Sequence, residues 1–148
     1  MSKMKTKIIR KILLSLALVF VLGSAITEVR GDVGGGITIF SMGNVTRGTT
    51  GHFRIQTRAA FSSFWVNFAV SGTAIPGVDY VALRSPVYVP RCDFGSCEVY
   101  IPVTTLPDRR GLIGLQAYSV NVKLLPGPGY TVGTPSSAQM LIDPPAPD

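Results

Sequence analysis

The two cysteines of the chain, Cys92 and Cys97, offer its clearest side-chain chemistry. They flank Asp93-Phe94-Gly95-Ser96, a segment typical of a hairpin turn. Facing positions of a hairpin come close enough to be bridged, and an even number of cysteines favours a disulfide in an oxidising compartment. We therefore predict a Cys92–Cys97 disulfide that staples a hairpin. Two reduced thiols, or a metal held by the cysteines and a distant histidine, are the weaker alternatives.

Catalytic chemistry finds little support in the sequence. His52 is the only histidine, and no motif supplies it with a nucleophile or a carboxylate partner. The chain contains no Gly-x-Ser-x-Gly, no His-Glu-x-x-His and no glycine loop that leads into a helix to hold phosphate. We predict that His52 is a surface residue and that the protein is not an enzyme.

The elements that position these residues are expected to be short strands. Fifteen of the 16 glycines and all 11 prolines follow Ala25, where no stretch keeps a helical apolar period. Segment 52–58 alternates most clearly, with Phe53, Ile55 and Thr57 on one face. We predict an all-β fold, an immunoglobulin-like β-sandwich of about seven antiparallel strands. The predicted strands span residues 36–40, 52–58, 64–70, 86–89, 98–104, 117–125 and 137–142.

Two features concern the surface of this predicted sandwich. Phe61, Phe64, Trp65 and Phe68 form an aromatic cluster that either presents an apolar patch to a partner or is covered by a sheet edge. Asn44-Val45-Thr46 is a formal N-glycosylation sequon in a predicted loop, and its use depends on the producing cell.

Residues 1–25 have the composition of a secretory signal peptide. Five basic residues precede an apolar run over 12–23, and Gly23-Ser24-Ala25 offers small residues for cleavage. The alternative is a retained membrane anchor, but the run is shorter than the roughly 18–20 residues that cross a bilayer. We predict a secreted, periplasmic or cell-surface protein.

The remainder of the chain carries almost no net charge. Nine basic residues follow Ala25 against all 8 acidic ones, and the basic residues form no run that could track a phosphate backbone. Nucleic acid is therefore not an expected partner. We predict a flexible lead-in at 26–35, one sandwich domain at 36–143 and a proline-rich tail at 144–148.

Two segments resemble a known family. Gly72-Thr73-Ala74 is followed by Gly77-Val78-Asp79-Tyr80, and later by a proline- and glycine-rich loop at 126–133 before the last predicted strand. In this order the segments are similar to the middle and end of a Calx-beta domain, an extracellular β-sandwich module known for binding calcium. The resemblance spans roughly residues 36–143.

The resemblance implies a calcium site at one end of the sandwich, of which the chain keeps Asp79, Asp108 and Asp143. Calcium takes about six to eight oxygen ligands, so several carboxylates must converge. Arg109 and Arg110 follow Asp108. We expect their guanidinium groups either to oppose a divalent cation or to pair with Asp108 and Asp79, where an arginine can replace the charge of the metal.

Other positions of the implied site lack their acids. Segment 36–51 contains no Asp or Glu, and Leu115 and Tyr118 stand where the family has paired glutamates. The alternative for Asp79 is a structural role, in which its carboxylate caps a turn. Weak calcium binding through the three remaining aspartates is the other alternative.

These patterns lead to one functional prediction. We expect an exported, non-catalytic binding or adhesion module with a degraded calcium site, which requires no cofactor. The alternatives are a weak calcium-binding extracellular module and an enzyme-associated or carbohydrate-binding domain. The expected partner is an unidentified protein or a surface glycan, with self-association and docking onto a larger complex as further alternatives.

Overall fold

The computed structural model describes residues 36–108 and 116–145, and within these ranges the protein is all-β. The predicted leader, the lead-in, Arg109, Arg110, Leu115 and the end of the tail lie outside the described residues. Nine strands are present in the described ranges: β1 (Thr38–Ser41), β2 (Val45–Thr46), β3 (Thr50–Ala60), β4 (Phe64–Val66), β5 (Phe68–Ser71), β6 (Val87–Val89), β7 (Cys92–Thr104), β8 (Tyr118–Leu124) and β9 (Ser137–Asp143).

The strands of the β-sandwich fall into three hydrogen-bonded groups, namely two sheets and a two-stranded ribbon. One sheet has the order β1-β3-β7 and the other has the order β2-β9-β8-β5, while β4 and β6 form a two-stranded ribbon. Pairing is antiparallel except between β2 and β9, where Val45 lies opposite Ile142 in a parallel register. The prediction of an all-β sandwich is confirmed.

Alternation of apolar residues builds the core between the two sheets. On β3 the side chains of Phe53 and Ile55 are buried and His52 is exposed, as the two-residue period predicts. On β8 every second residue from Tyr118 to Leu124 is buried. These faces join one hydrophobic cluster that includes Ile39, Val103, Val120, Met140 and Ile142.

Two differences from the predicted strands have clear causes. Segment 64–70 was expected to be one strand, but it divides at Asn67 into β4 and β5, which belong to different groups. The Asn67 N–H donates to the Tyr130 hydroxyl (3.0 Å) and its carbonyl accepts from Leu125 N–H (2.9 Å), so the crossing costs no backbone hydrogen bond. The other difference is β2, which is only two residues long and shows no alternation for a sequence pattern to detect.

The Cys92–Cys97 disulfide is present, with Cα atoms 6.2 Å apart, but it does not close a hairpin. Both cysteines belong to β7, where Cys92 lies opposite Ala60 and Ser96 lies opposite Arg58. One residue of β3 therefore faces three residues of β7, and the disulfide closes this bulge. Gly95 lies within it at φ +78°, a conformation that favours glycine and lets the chain return to the ladder.

The long β3–β7 pair defines two ends of the sandwich. At one end β3 begins and β7 finishes, with Thr50 opposite Thr104. We call it the ion-pair end, because a buried ion pair between Arg47 and Asp79 lies there. At the disulfide end β3 finishes and β7 begins, with Ala60 opposite Cys92. The candidate functional residues divide between these ends.

Candidate functional site

A tight turn places Asp79 at the ion-pair end. Gly77 adopts φ +80°, and its N–H donates to the Tyr80 carbonyl (2.7 Å), while the Asp79 N–H donates to the Ile75 carbonyl (2.9 Å). The Asp79 Oδ2 atom accepts a hydrogen bond from the Ile75 N–H (2.7 Å). The carboxylate therefore caps its own turn, which is the structural role that the sequence left open for it.

The second oxygen of the same carboxylate binds an arginine. Arg47 Nη2 lies 3.1 Å from Asp79 Oδ1, and Arg47 Nη1 donates to the Leu106 carbonyl at 3.1 Å. The guanidinium carbon lies 5.6 Å from the centre of the Tyr118 ring, within the range of a cation–π contact. One carboxylate, one carbonyl and one aromatic face thus surround the arginine.

Three segments bring these groups together. Arg47 follows β2, and its N–H donates to the Asp143 carbonyl at 2.9 Å, which fixes the start of its turn to the end of β9. The Leu106 N–H donates to the Asp79 carbonyl (2.8 Å), which joins the segment after β7 to the Asp79 turn. The ion pair is therefore built on a frame of backbone hydrogen bonds.

Both side chains of this ion pair are buried, so the loss of either partner would lower the stability of the fold. The Asp79 side chain is 0% exposed and the Arg47 side chain is 7% exposed. A buried carboxylate without its counter-charge is strongly unfavourable, so each partner makes burial of the other tolerable. Burial, together with the nearby Asp79 charge, also raises the pKa of the adjacent Tyr80 phenol above its ordinary value.

The other two predicted aspartates take different positions around this frame. Asp143 is half-buried and contributes its backbone carbonyl to Arg47, while Asp108 is exposed and lies two residues after Leu106. Within residues 36–108 and 116–145, no three His, Cys, Asp or Glu side chains come together in a group that could hold a metal ion. Calcium binding by Asp79, Asp108 and Asp143 stays a prediction.

Sequence reasoning missed Arg47 as a partner of Asp79. The expected pairing with Arg109 or Arg110 concerns residues outside the described ranges and stays a prediction. A signal for Arg47 was present, because it is the one basic residue in the acid-free segment 36–51. The resemblance also placed Tyr118 where the family has a glutamate, and in the structure the Tyr118 ring contacts the arginine.

The disulfide end carries aromatic side chains in solvent. The predicted aromatic cluster divides, because Phe64 and Phe68 are buried in the core while Phe61 and Trp65 are 67% and 56% exposed. Trp65 lies opposite Tyr88 on the β4–β6 ribbon, with ring centroids 5.1 Å apart. Phe94 in the disulfide-closed bulge is 92% exposed.

The outer face of the β3–β7 sheet carries His52 beside an apolar groove. The exposed His52 ring makes an edge contact with Tyr100, whose hydroxyl donates to Glu98 at 2.8 Å. This hydrogen bond, followed by desolvation, raises the pKa of Tyr100. A groove of about 320 Å³ lies beside Tyr100, and most of its lining is apolar. The lining residues are Val81, Ala82, Leu83, Arg84, Val87, Tyr100, Ile101, Pro102 and Thr104.

The sequon residue Asn44 is exposed just before β2, and its side-chain oxygen accepts a hydrogen bond from the Leu141 N–H at 3.2 Å. Its carboxamide therefore extends the hydrogen bonding of β9 beyond the two residues of β2. The predicted loop position of Asn44 agrees with the structure.

The sequence matches no protein-family model and no curated protein. The Calx-beta resemblance therefore depends on the motifs quoted above. No helix in the described part of the chain is long and apolar enough to cross a membrane.

Proposed function

We propose that this protein is an exported, non-catalytic binding module of the Calx-beta type, in which the Arg47 cation takes the place of calcium. The observation that carries the proposal is the buried contact between Arg47 and Asp79. The family resemblance supports the module type, and the composition of residues 1–25 supports export.

The geometry around Asp79 favours an arginine over a metal. One carboxylate oxygen accepts from the Ile75 N–H and the other binds Arg47, so both have partners within the protein. Calcium would need about six to eight oxygens and would have to displace the guanidinium before reaching Asp79. The Leu106 carbonyl, an oxygen of the kind that binds calcium, also accepts from Arg47. The site is therefore charge-balanced without a metal.

The non-catalytic part of the proposal is supported by the surroundings of His52. Its ring is exposed and contacts Tyr100, and within residues 36–108 and 116–145 it forms no ion pair with an acidic side chain. A general base needs an orienting partner and a nearby reacting group. The mostly apolar groove beside Tyr100 is better suited to binding than to proton transfer.

Calorimetric titration and thermal unfolding of the full chain test the proposal. We expect no saturable heat up to millimolar calcium and the same melting temperature in calcium and in chelator. Saturable heat that Asp79→Ala abolishes would establish the weak calcium module instead.

Asp93→Ala is the matched control, because it removes an exposed carboxylate at the disulfide end. A calcium signal that disappears equally in Asp79→Ala and Asp93→Ala would reflect general charge screening. A signal lost only in Asp79→Ala would contradict the proposal.

A further inference from the structure

Four exposed aromatic side chains, Phe61, Trp65, Tyr88 and Phe94, form what we call the aromatic tip. Their exposed fractions are 67%, 56%, 46% and 92%, respectively. Phe61 directly follows Ala60, which pairs with Cys92 at the start of the strand that carries Phe94. Trp65 and Tyr88 belong to the ribbon strands that leave and re-enter the same end of the sandwich. The four residues therefore mark the disulfide end.

The backbone around Phe94 is held in place. The disulfide closes the bulge, and Arg91 Nε lies 2.7 Å from Asp93 Oδ1 beside it. A bulge restrained in this way loses less conformational freedom when its tip is bound than an open loop would. A phenylalanine that is 92% exposed on a restrained bulge is a preorganised anchor.

Within the aromatic tip, the side chains without a polar atom are the ones most exposed to solvent. The two phenylalanines, which have no polar atom, are the most exposed, while Trp65 and Tyr88, which carry a polar N–H or O–H, are less exposed. In bilayers, apolar side chains enter the hydrocarbon boundary, and Trp and Tyr lie at the level of the headgroups.

A cation accompanies the aromatic tip. Arg58 lies opposite Ser96 beside the bulge, is exposed, and makes no ion pair with any side chain in the described ranges. Basic residues near a membrane surface are attracted to anionic headgroups. The nearby Asp93 is already paired with Arg91, so it does not offset the charge of Arg58.

The geometry of the two ring systems favours lipid over glycan. The Trp65 and Tyr88 rings are tilted by 56° with centroids 5.1 Å apart, so they lean on each other and do not form one flat platform. A lipid surface requires no such platform, because it adapts to the shape of the side chains that enter it.

We propose that the aromatic tip docks the sandwich onto a lipid surface. Phe94 and Phe61 enter the hydrocarbon boundary, Trp65 and Tyr88 lie among the headgroups, and Arg58 favours anionic lipid. The inference names the partner of the proposed binding module and rests on that role. Vesicle binding is tested without calcium. A negative result with vesicles would therefore not contradict the Arg47 proposal, and calcium binding at Asp79 would not contradict lipid docking.

Trp65 is the only tryptophan of the chain, so its fluorescence reports on the aromatic tip directly. The full chain is mixed with phosphatidylcholine vesicles, with or without phosphatidylserine, some of which carry brominated acyl chains. We expect a blue shift of Trp65 emission and quenching by the brominated lipid, with tighter binding to the anionic vesicles. Co-sedimentation of the protein with vesicles is not a sufficient test, because the predicted leader is itself apolar. Quenching of Trp65 by brominated lipid requires contact at the aromatic tip.

Phe94→Asp is compared with Met42→Asp, which changes an apolar side chain that is 54% exposed near the ion-pair end. We expect Phe94→Asp to weaken vesicle binding by about tenfold or more and Met42→Asp to leave it unchanged. Phe61→Asp provides a second variant in case Phe94→Asp alters folding. Arg58→Gln should reduce binding to anionic vesicles by about fivefold and leave binding to neutral vesicles unchanged.

The proposal is wrong if Trp65 emission is unchanged by both vesicle types. It is also wrong if Met42→Asp weakens binding as much as Phe94→Asp, or if Trp65 responds to a soluble oligosaccharide and not to vesicles. The last result would assign the aromatic tip to a glycan.

Discussion

The ion-pair end of the sandwich buries charged side chains, whereas the disulfide end exposes apolar ones. At the ion-pair end Arg47 and Asp79 are withdrawn from solvent, with side-chain exposures of 7% and 0%. At the disulfide end the Arg91–Asp93 pair is 65% and 46% exposed, and Phe94 extends into solvent. Soluble proteins usually bury apolar groups and expose charges, so both ends depart from that rule.

The difference indicates that the two ends have different roles. A buried, fully partnered ion pair fixes how three segments meet, and removing either partner is costly. An exposed phenylalanine adds nothing to the core, yet a disulfide closes the bulge that carries Phe94. We interpret the first end as structural and the second as the end that meets a partner.

The largest expected effect comes from breaking the buried pair. Arg47→Met removes the guanidinium that contacts the buried Asp79 carboxylate, and we expect a loss of roughly 3–5 kcal/mol in the free energy of unfolding. Denaturant unfolding of Arg47→Met, Asp79→Asn and the double variant measures the coupling between the two residues.

Arg91→Ala is the matched control for the ion-pair prediction. It breaks the exposed pair with Asp93, and we expect a change on the order of 0.5 kcal/mol or less. If the double variant simply summed the two single changes at Arg47 and Asp79, the pair would not be coupled and the structural reading of that end would be wrong.

The second effect concerns the disulfide end. Replacing both cysteines by serine opens a short loop, which in the chain-entropy model costs about 2 kcal/mol. We also expect faster amide exchange in the bulge from Asp93 to Ser96 and unchanged exchange around Asp79. Hydrogen-exchange mass spectrometry measures both regions in one experiment, and increased exchange at Asp79 would show that the two ends are not independent.

The smallest effect appears only in alkali. Because the pKa of Tyr80 is raised in the folded protein, its neutral form is favoured by folding. Its contribution to stability is complete below the unfolded value of about 10 and is lost as the pH rises through the folded value. We expect Tyr80→Phe to remove part of the decline in stability above about pH 10, while the difference in stability between the variant and the natural chain stays constant below that pH.

The control for the alkaline experiment is Tyr88→Phe, which changes an exposed tyrosine. Chemical denaturation at several alkaline pH values compares the two variants with the natural chain. An equal response of both variants would mean that the Tyr80 environment does not cause the decline.

The sequence predicted most of the sandwich because a two-residue period is a local signal. Phe53, Ile55 and Thr57 on β3 were placed on one face by that period, and all three are buried. The crossing at Asn67 was not predicted, because it depends on hydrogen bonds to Tyr130 and Leu125, which are distant in the chain. Local alternation cannot reveal which sheet a strand joins.

The candidate site was less predictable for the same reason. The disulfide pair was predicted correctly, but its setting in a bulge depends on the register of β7 against β3. Asp79 was identified by its motif, whereas its partner Arg47 lies 32 residues earlier, in a segment with no motif. The burial of Asp79, which decides the cost of removing that partner, follows from the packing of three segments.

The path of the chain between the sheets has a consequence for cooperativity. β1 belongs to one sheet, β2 to the other and β3 again to the first, so the chain alternates between the two layers at its start. Within the described strands, neither sheet can detach as a whole without pulling residues from the other, although a bulge or turn can still open locally. Thermal unfolding of the sandwich is therefore expected to be a single transition, with the calorimetric and van't Hoff enthalpies in agreement.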